Sequence, residues 1–154
     1  MRRRVKKKWD GSGGQGEQAL GRSRGGFTTK AHVAVNGLGQ PVELTVTPGQ
    51  ASDIGQAEGL LAGHAPEAVV ADRGYDSKAL VEAVEARGGA AVIPTQKGRK
   101  EQREIDRHVY KERNVVERFW SKVKQYRRVA TRYDKKAANF LAFVKVAAIM
   151  VMLQ

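Results

Sequence analysis

Cysteine is absent from the 154 residues, which excludes disulfides and thiolate metal sites and leaves oxygen and histidine as the possible metal ligands. A reducing compartment, the cytoplasm, fits that absence. Aromatic residues are scarce, at 6%, so a platform for stacking successive nucleic-acid bases has few candidates. No secretory signal is expected, because MRRRVKKK at the start has no apolar run behind it. Long apolar runs are also missing. The stretch from Ala137 to Leu153 comes nearest, but Asn139 and Lys145 interrupt it, so it reads as a buried helix and not as a membrane span. No membrane partner is expected.

Positive charge is abundant. Lys and Arg number 28 against 16 Asp and Glu, a net charge of +12, and a polyanion is the natural partner of such a chain. The distribution is uneven: residues 1–30 carry +7, residues 31–96 carry −5, and residues 97–136 carry +9. Two basic margins flank an acidic centre, the pattern of a protein that grips phosphates at its edges and does something else between them.

Length and a 41% hydrophobic content allow one modest domain with a small core. Residues 1–26 combine the basic run with WDGSGGQGEQALGRSRGG, too rich in glycine and too poor in apolar side chains to repay its ordering entropy. They are expected to form a basic flexible arm, with the folded domain at 27–154. FTTKAHVAVN, the turn GLGQ and PVELTVTPG predict an antiparallel hairpin. A helix is expected from an Asp53 N-cap through Leu61, then a short apolar strand in AVVADRGYDS. Asp76 or Ser77 should cap a helix over KALVEAVEARGG, and AAVIPT gives another strand stopped by Pro94. The alternation predicts an α/β layered fold. KGRKEQREIDRH has no clear period. The absence of Gly and Pro from Val109 to Arg132 predicts one long helix, and a last helix runs from about Lys135 to the end.

On that long helix, Tyr110, Arg113, Glu117 and Lys124 fall within a stripe about 60° wide at 100° per residue, opposite the apolar Val115, Val116, Phe119, Val123 and Tyr126. Glu117 should therefore be displayed to solvent among bases. One reading is an ordinary i,i+4 ion pair with Arg113. The other is a carboxylate that binds a cation, with bases beside it to hold phosphates. Trp120 falls near the edge of the stripe or in the core.

A second acid, Asp72, ends the strand AVVA and precedes Arg73 and Gly74. The carboxyl ends of strands in open α/β sheets are where ligands sit, although Asp-x-Gly also makes turns. Asp53 and Asp76 read as helix caps. His32 reads as a strand residue and His64 as a helix-end residue, and no histidine pair has zinc spacing.

The spaced Tyr110, Arg113, Glu117, Lys124 set resembles the Tyr-Arg-Glu-Lys signature of DDE-type bacterial insertion-sequence transposases, family-five group. LGRSRGGFTTKAH at 20–32, TPGQASD at 47–53, ADRGYDS at 71–77, VIP at 92–94 and ATRYDK at 130–135 resemble blocks of the same group in the same order. The resemblance covers the chain from Leu20 onward. It implies a ribonuclease H-like mixed sheet flanked by helices, with two Asp and one Glu binding two Mg²⁺ ions. Those ions would serve in-line attack on phosphodiesters, by water and then by a DNA 3′-hydroxyl. By position it assigns Asp72 and Glu117 as catalytic metal ligands, and Tyr110, Arg113 and Lys124 as contacts to double-stranded DNA at transposon ends and target.

The resemblance also departs from the pattern. The group's first Asp lies on a strand upstream of GRSRGGFTTK, where this chain has MRRRVKKKWDGSGG. Asp10 is the one acid before Glu17, and its Gly-Ser context is not a strand, so it is not assigned. The expectation is a downstream catalytic half truncated at its N-terminal strand, a frameshift product or a relic of a decayed element. Such a half would be inactive alone, with an unpaired sheet edge that favours self-association or association with the upstream half. The alternatives are a truncated transposase that binds DNA as a regulator without cutting it, and a general basic nucleic-acid-binding protein.

Overall fold

The computed structural model describes Gly14, residues 17–23 and residues 26–154. Most of the expected arm, with Asp10, lies outside the described residues. A three-stranded antiparallel sheet is formed by β1 (Gly21–Ser23), β2 (Gly26–Val35) and β3 (Pro41–Pro48), in that order. The β2–β3 hairpin pairs Thr29 with Pro48 through Val33 with Leu44, and its register shifts at Ala34/Val35. Its turn is closed by the Asn36 side chain, which accepts from the backbone N–H groups of Leu38 and Gln40. Gly39 supplies the φ of +83° that the turn requires.

A two-stranded parallel sheet follows, β4 (Ala68–Val70) beside β5 (Ala90–Val92). Helix α1 (Ile54–Leu60) precedes it and α2 (Lys78–Glu85) supplies the crossover. The fold is thus mixed α/β, with one antiparallel and one parallel sheet plus helices. Ser77 caps α2, accepting from Leu80 N at 3.5 Å. Asp76 does not cap it, and Asp53, at the N-cap of α1, makes no side-chain cap either. Both carboxylates have stronger calls on them from cationic partners: Asp76 is buried against two arginines, and Asp53 lies 3.0 Å from Lys30.

The expected long helix is segmented. It comprises α3 (Arg107–Tyr110), a 3₁₀ turn at Lys111–Arg113, α4 (Asn114–Val123) and α5 (Arg127–Ala130). Tyr126, in extended conformation with ψ 113°, separates α4 from α5. Continuation would set Lys124 and Arg128 one turn apart as like charges, whereas the break lets Tyr126 and Val129 pack back against the core. The last helix, α6 (Ala137–Met152), forms as expected. Among the described residues no helix is long and apolar enough to cross a membrane.

Two cores result. Leu44 of β3, Phe119 and Val123 of α4, and Phe140, Val144, Ala147 and Ala148 of α6 form one. Ala57, Leu80, Val84 and Ile93 form the other, around the parallel strands. Each fully buried Val, Leu, Ile or Phe among them contributes about 1.5–3 kcal/mol of transfer free energy. Trp120 packs against the first core, its ring 5.3 Å from that of Phe119 in an edge arrangement, so it belongs to the core and not to the polar stripe.

Arg132 ties the segment before β1 to the connection between α5 and α6. Its guanidinium donates to the carbonyls of Gln18 (2.8 Å), Ala19 (3.2 Å), Asp134 (2.8 Å) and Lys135 (2.9 Å), and also to Thr29 Oγ1. It also stacks over the Phe140 ring. Ala19, buried and at φ +51°, holds a conformation unusual for a residue with a Cβ.

Candidate active site

Between the two sheets lies a cleft of about 710 Å³. Val33, Ala34 and Val35 of β2 line one wall, Ala68, Val69 and Val70 of β4 another, and Leu60, Leu61 and Leu80 its floor. Three of the candidate site residues line this cleft: Asp72, Arg113 and Glu117.

Each arrives for a local reason. Asp72 follows β4 in extended conformation, and its Oδ1 accepts from Gly74 N at 2.8 Å, nucleating the 3₁₀ turn Arg73–Tyr75. The turn reading of Asp-x-Gly therefore holds, and the same geometry delivers the carboxylate to the cleft. Glu117 sits in the first turn of α4, where Val115, Phe119 and Val123 take the buried face. That leaves Glu117 outward, as the helical spacing requires, with 57% of its side chain exposed. Its Oε1 lies 2.8 Å from Arg113 Nη2, so the i,i+4 pair exists. Exposed on this scale, it is worth about 0.3–0.5 kcal/mol.

Tyr110 and Lys124 are not among the residues lining the cleft. Tyr110 is half-buried at the end of α3, and Lys124 is exposed at the end of α4. The 3₁₀ turn at Lys111–Arg113 and the end of α4 at Val123 interrupt the continuous stripe that one straight helix would have given.

Tyr75 and His64, which the sequence did not single out for this site, also line the cleft. Burial pushes the Tyr75 phenol above its ordinary value near 10, and the nearby charges of Asp53 and Asp72 push the same way. At the far side of β2, buried His32 bonds Thr47 Oγ1 at 2.7 Å. Burial lowers its pKa and Lys30 adds to that, against a smaller opposing pull from Asp53.

The carboxylates of Asp72 and Glu117 are hard oxygen donors of the kind Mg²⁺ takes. Among the described residues, however, no three His, Asp or Glu side chains converge in a way that would hold a metal ion. Asp72 and Glu117 do not fit a two-ion centre by themselves, and Glu67, the third acid lining the cleft, does not join them in a metal-holding group. The signal that locates this site in a sequence is the strand-terminal acid of ADRGYDS together with the outward acid of α4. Tyr75 and His64 carry no such signal.

An α/β scaffold with a strand-terminal Asp and a helix-borne Glu on one cleft is consistent with a DDE nuclease fold. The family model described as "Transposase DDE domain" matches residues 3–153. The chain is 37% identical over 130 residues to a candidate transposase for insertion sequence element IS6501 of Brucella ovis, covering 83% of this chain and 100% of that one. It is 30% identical over 135 residues to a candidate transposase for insertion sequence element IS402 of Burkholderia cepacia, covering 80% of this chain and 62% of that one. No solved structure matches it. The chain belongs to the DDE transposase domain family of insertion sequences.

Proposed function

We propose that this chain is the catalytic half of an insertion-sequence transposase that acts on double-stranded DNA and is incomplete on its own. The observation that carries the reading is the shared cleft: Asp72 at the carboxyl end of a strand and Glu117 on a helix, with Arg113 beside Glu117. The reaction class is phosphodiester hydrolysis followed by transesterification. Water attacks phosphorus, the bond to the leaving 3′-oxygen breaks and the water proton is released. In strand transfer a DNA 3′-hydroxyl takes the place of water. Asp72 and Glu117 are the proposed catalytic and metal-binding acids, and Arg113, Tyr110 and Lys124 the proposed contacts to the DNA backbone. Such contacts set affinity and position and carry no sequence information.

Incompleteness is supported by the sheets. Among the described residues, β2 is paired along one edge alone beyond its pairing with β1 at Gly26–Thr28, and β4 is paired with β5 alone. Both strands line the cleft, so two open edges border an apolar space. A strand entering there would complete one continuous sheet and bring new side chains next to Asp72. The ribonuclease H-like arrangement, with a further Asp and two Mg²⁺ ions, belongs to that completed assembly. The same two-acid site supports the second reading, a truncated transposase that binds DNA without cutting it. Self-association, or association with an upstream half, follows from the open edges.

Purified chain and supercoiled plasmid with Mg²⁺ test both readings. Salt-sensitive binding with little nicking is expected. Robust cleavage abolished by Asp72→Ala would overturn the incompleteness, and an absence of DNA binding would overturn the function itself.

A further inference from the structure

The charged connection 97–108, which showed no period in the sequence, forms a built loop together with Thr95 and Gln96. Its anchor is Asp76, whose side chain is 0% exposed. Asp76 Oδ2 accepts from Gln96 N at 2.9 Å and lies 2.9 Å from Arg99 Nε, while Oδ1 lies 3.4 Å from Arg103 Nη2. Arg103 Nη1 donates to the Ile93 carbonyl at 2.7 Å, and Arg103 N donates to Thr95 Oγ1 at 2.8 Å. The Gln102 amide closes the loop onto the Arg99 carbonyl at 2.8 Å. A lone helix cap or a solvated charge run needs none of this. One buried carboxylate is matched to two guanidinium groups, and the excess charge is positive.

The position of the loop gives it meaning. Strands β4 and β5 are parallel, so their carboxyl ends share one edge of the sheet. Asp72 follows β4 at that edge and the loop follows β5. A single 3₁₀ turn, Arg73–Tyr75, connects Asp72 to Asp76, so the residue that fixes the loop is tied directly to the candidate catalytic acid. The loop surrounds a polar hollow of about 500 Å³ lined by Thr95, Arg99, Lys100, Glu101, Gln102 and Arg103. From 96 to 103 the sequence QKGRKEQR holds four bases and one acid. Lys97 and Lys100 are exposed, and neither is needed for the internal bonds.

We propose that loop 95–103 is a second phosphate-backbone contact for DNA, next to Asp72, and that Asp76 is its positioning residue. This rests on the DNA-processing reading above and adds to it a site outside the Tyr110, Arg113 and Lys124 set. Holding a cationic loop rigid before DNA arrives removes ordering cost from binding. The ligand class is a phosphodiester. Lys97 and Lys100 neutralise it, while Arg99 and Arg103 hold the loop in shape.

The test measures affinity of the full chain for a short double-stranded DNA across a salt series. Each phosphate contact contributes about 0.9 to the slope of log K against log salt, so Lys97→Ala with Lys100→Ala should flatten the slope by about 2. An unchanged slope in this double variant, with the slope still reduced by Arg113→Ala, would overturn the loop contact and leave the DNA reading standing. If the unaltered chain does not bind DNA at all, the underlying reading fails first. Asp76→Asn tests positioning: amide protection at Gln96 and Arg103 should fall and the slope should flatten with both lysines intact. A purely structural Asp76 would lower the melting temperature yet leave the slope of the folded protein unchanged.

Discussion

Glu117 Oε1 lies 2.8 Å from Arg113 Nη2, and both residues line the cleft that Asp72 also lines. The basic partner next to the acid is therefore the one at i−4, within reach of its charge, while the other base of the stripe, Lys124, does not line the cleft.

That arrangement separates affinity from chemistry. Glu117→Ala should change the free energy of unfolding by less than about 0.5 kcal/mol, because the pair is exposed, and should leave DNA affinity nearly intact. Lys124→Ala should weaken binding and reduce the salt slope by about 0.9. Fluorescence anisotropy over a salt series, with urea denaturation of both variants, checks each part.

Arg132→Ala should be far more costly. Five acceptors lose their donor together, among them the carbonyls of Gln18 and Ala19, and the stacking over Phe140 disappears. A destabilisation of about 2–3 kcal/mol is expected, as for several part-buried acceptors that lose one charged donor together. Arg132→Lys should recover little of it, because an ammonium has three donors and no planar fork. Urea unfolding midpoints of the two variants provide the measure.

His32 gives a pH dependence with a definite sign. Its pKa in the folded state is lowered below the ordinary 6.5, first by burial, so between the two values the unfolded chain binds more protons. Its contribution to stability is full above about pH 6.5 and is lost as pH falls through the folded pKa. The facing groups are Thr47, Asp53 and Lys30. Thermal melts of the wild-type chain and of His32→Gln across pH 5–7 should diverge in slope, the variant being flatter. Equal slopes would remove His32 as the source.

Phe119→Ala should cost about 3–5 kcal/mol, as for large-to-small changes in a packed core, because Phe119 is 3% exposed and joins α4 to α6. Since α4 is bounded by Arg113 and Lys124, the proposed DNA contacts, the same variant should also weaken DNA binding at temperatures where it remains folded. Calorimetry and anisotropy together check this.

Much of the architecture was legible in the sequence. Alternation in FTTKAHVAVN gave the hairpin, and the apolar runs AVVA and AAVI gave the parallel strands. The helix period placed Val115, Phe119 and Val123 inside and Glu117 outside. What was not legible depended on distant partners. The side chain of Asp76 has a cap-like position, yet Arg99 and Arg103, more than twenty residues on, claim it. The absence of Gly and Pro could not reveal that the helix breaks near Gln125, because the break is rewarded by contacts of Tyr126 and Val129 with a helix not yet reached in the chain. Of the five residues expected at the site, the cleft gathers Asp72, Arg113 and Glu117. Tyr110 and Lys124 depended on one straight helix that the tertiary fold does not keep.

The Arg132 latch bears on synthesis. Its partner Gln18 lies 114 positions earlier in the chain, so the first strand can be fastened only after Arg132 has left the ribosome. At about 5–20 residues per second, the hairpin spends several seconds without that anchor. A product terminated before Arg132 would never acquire it, and the early strands of such a product would stay open to cellular proteases.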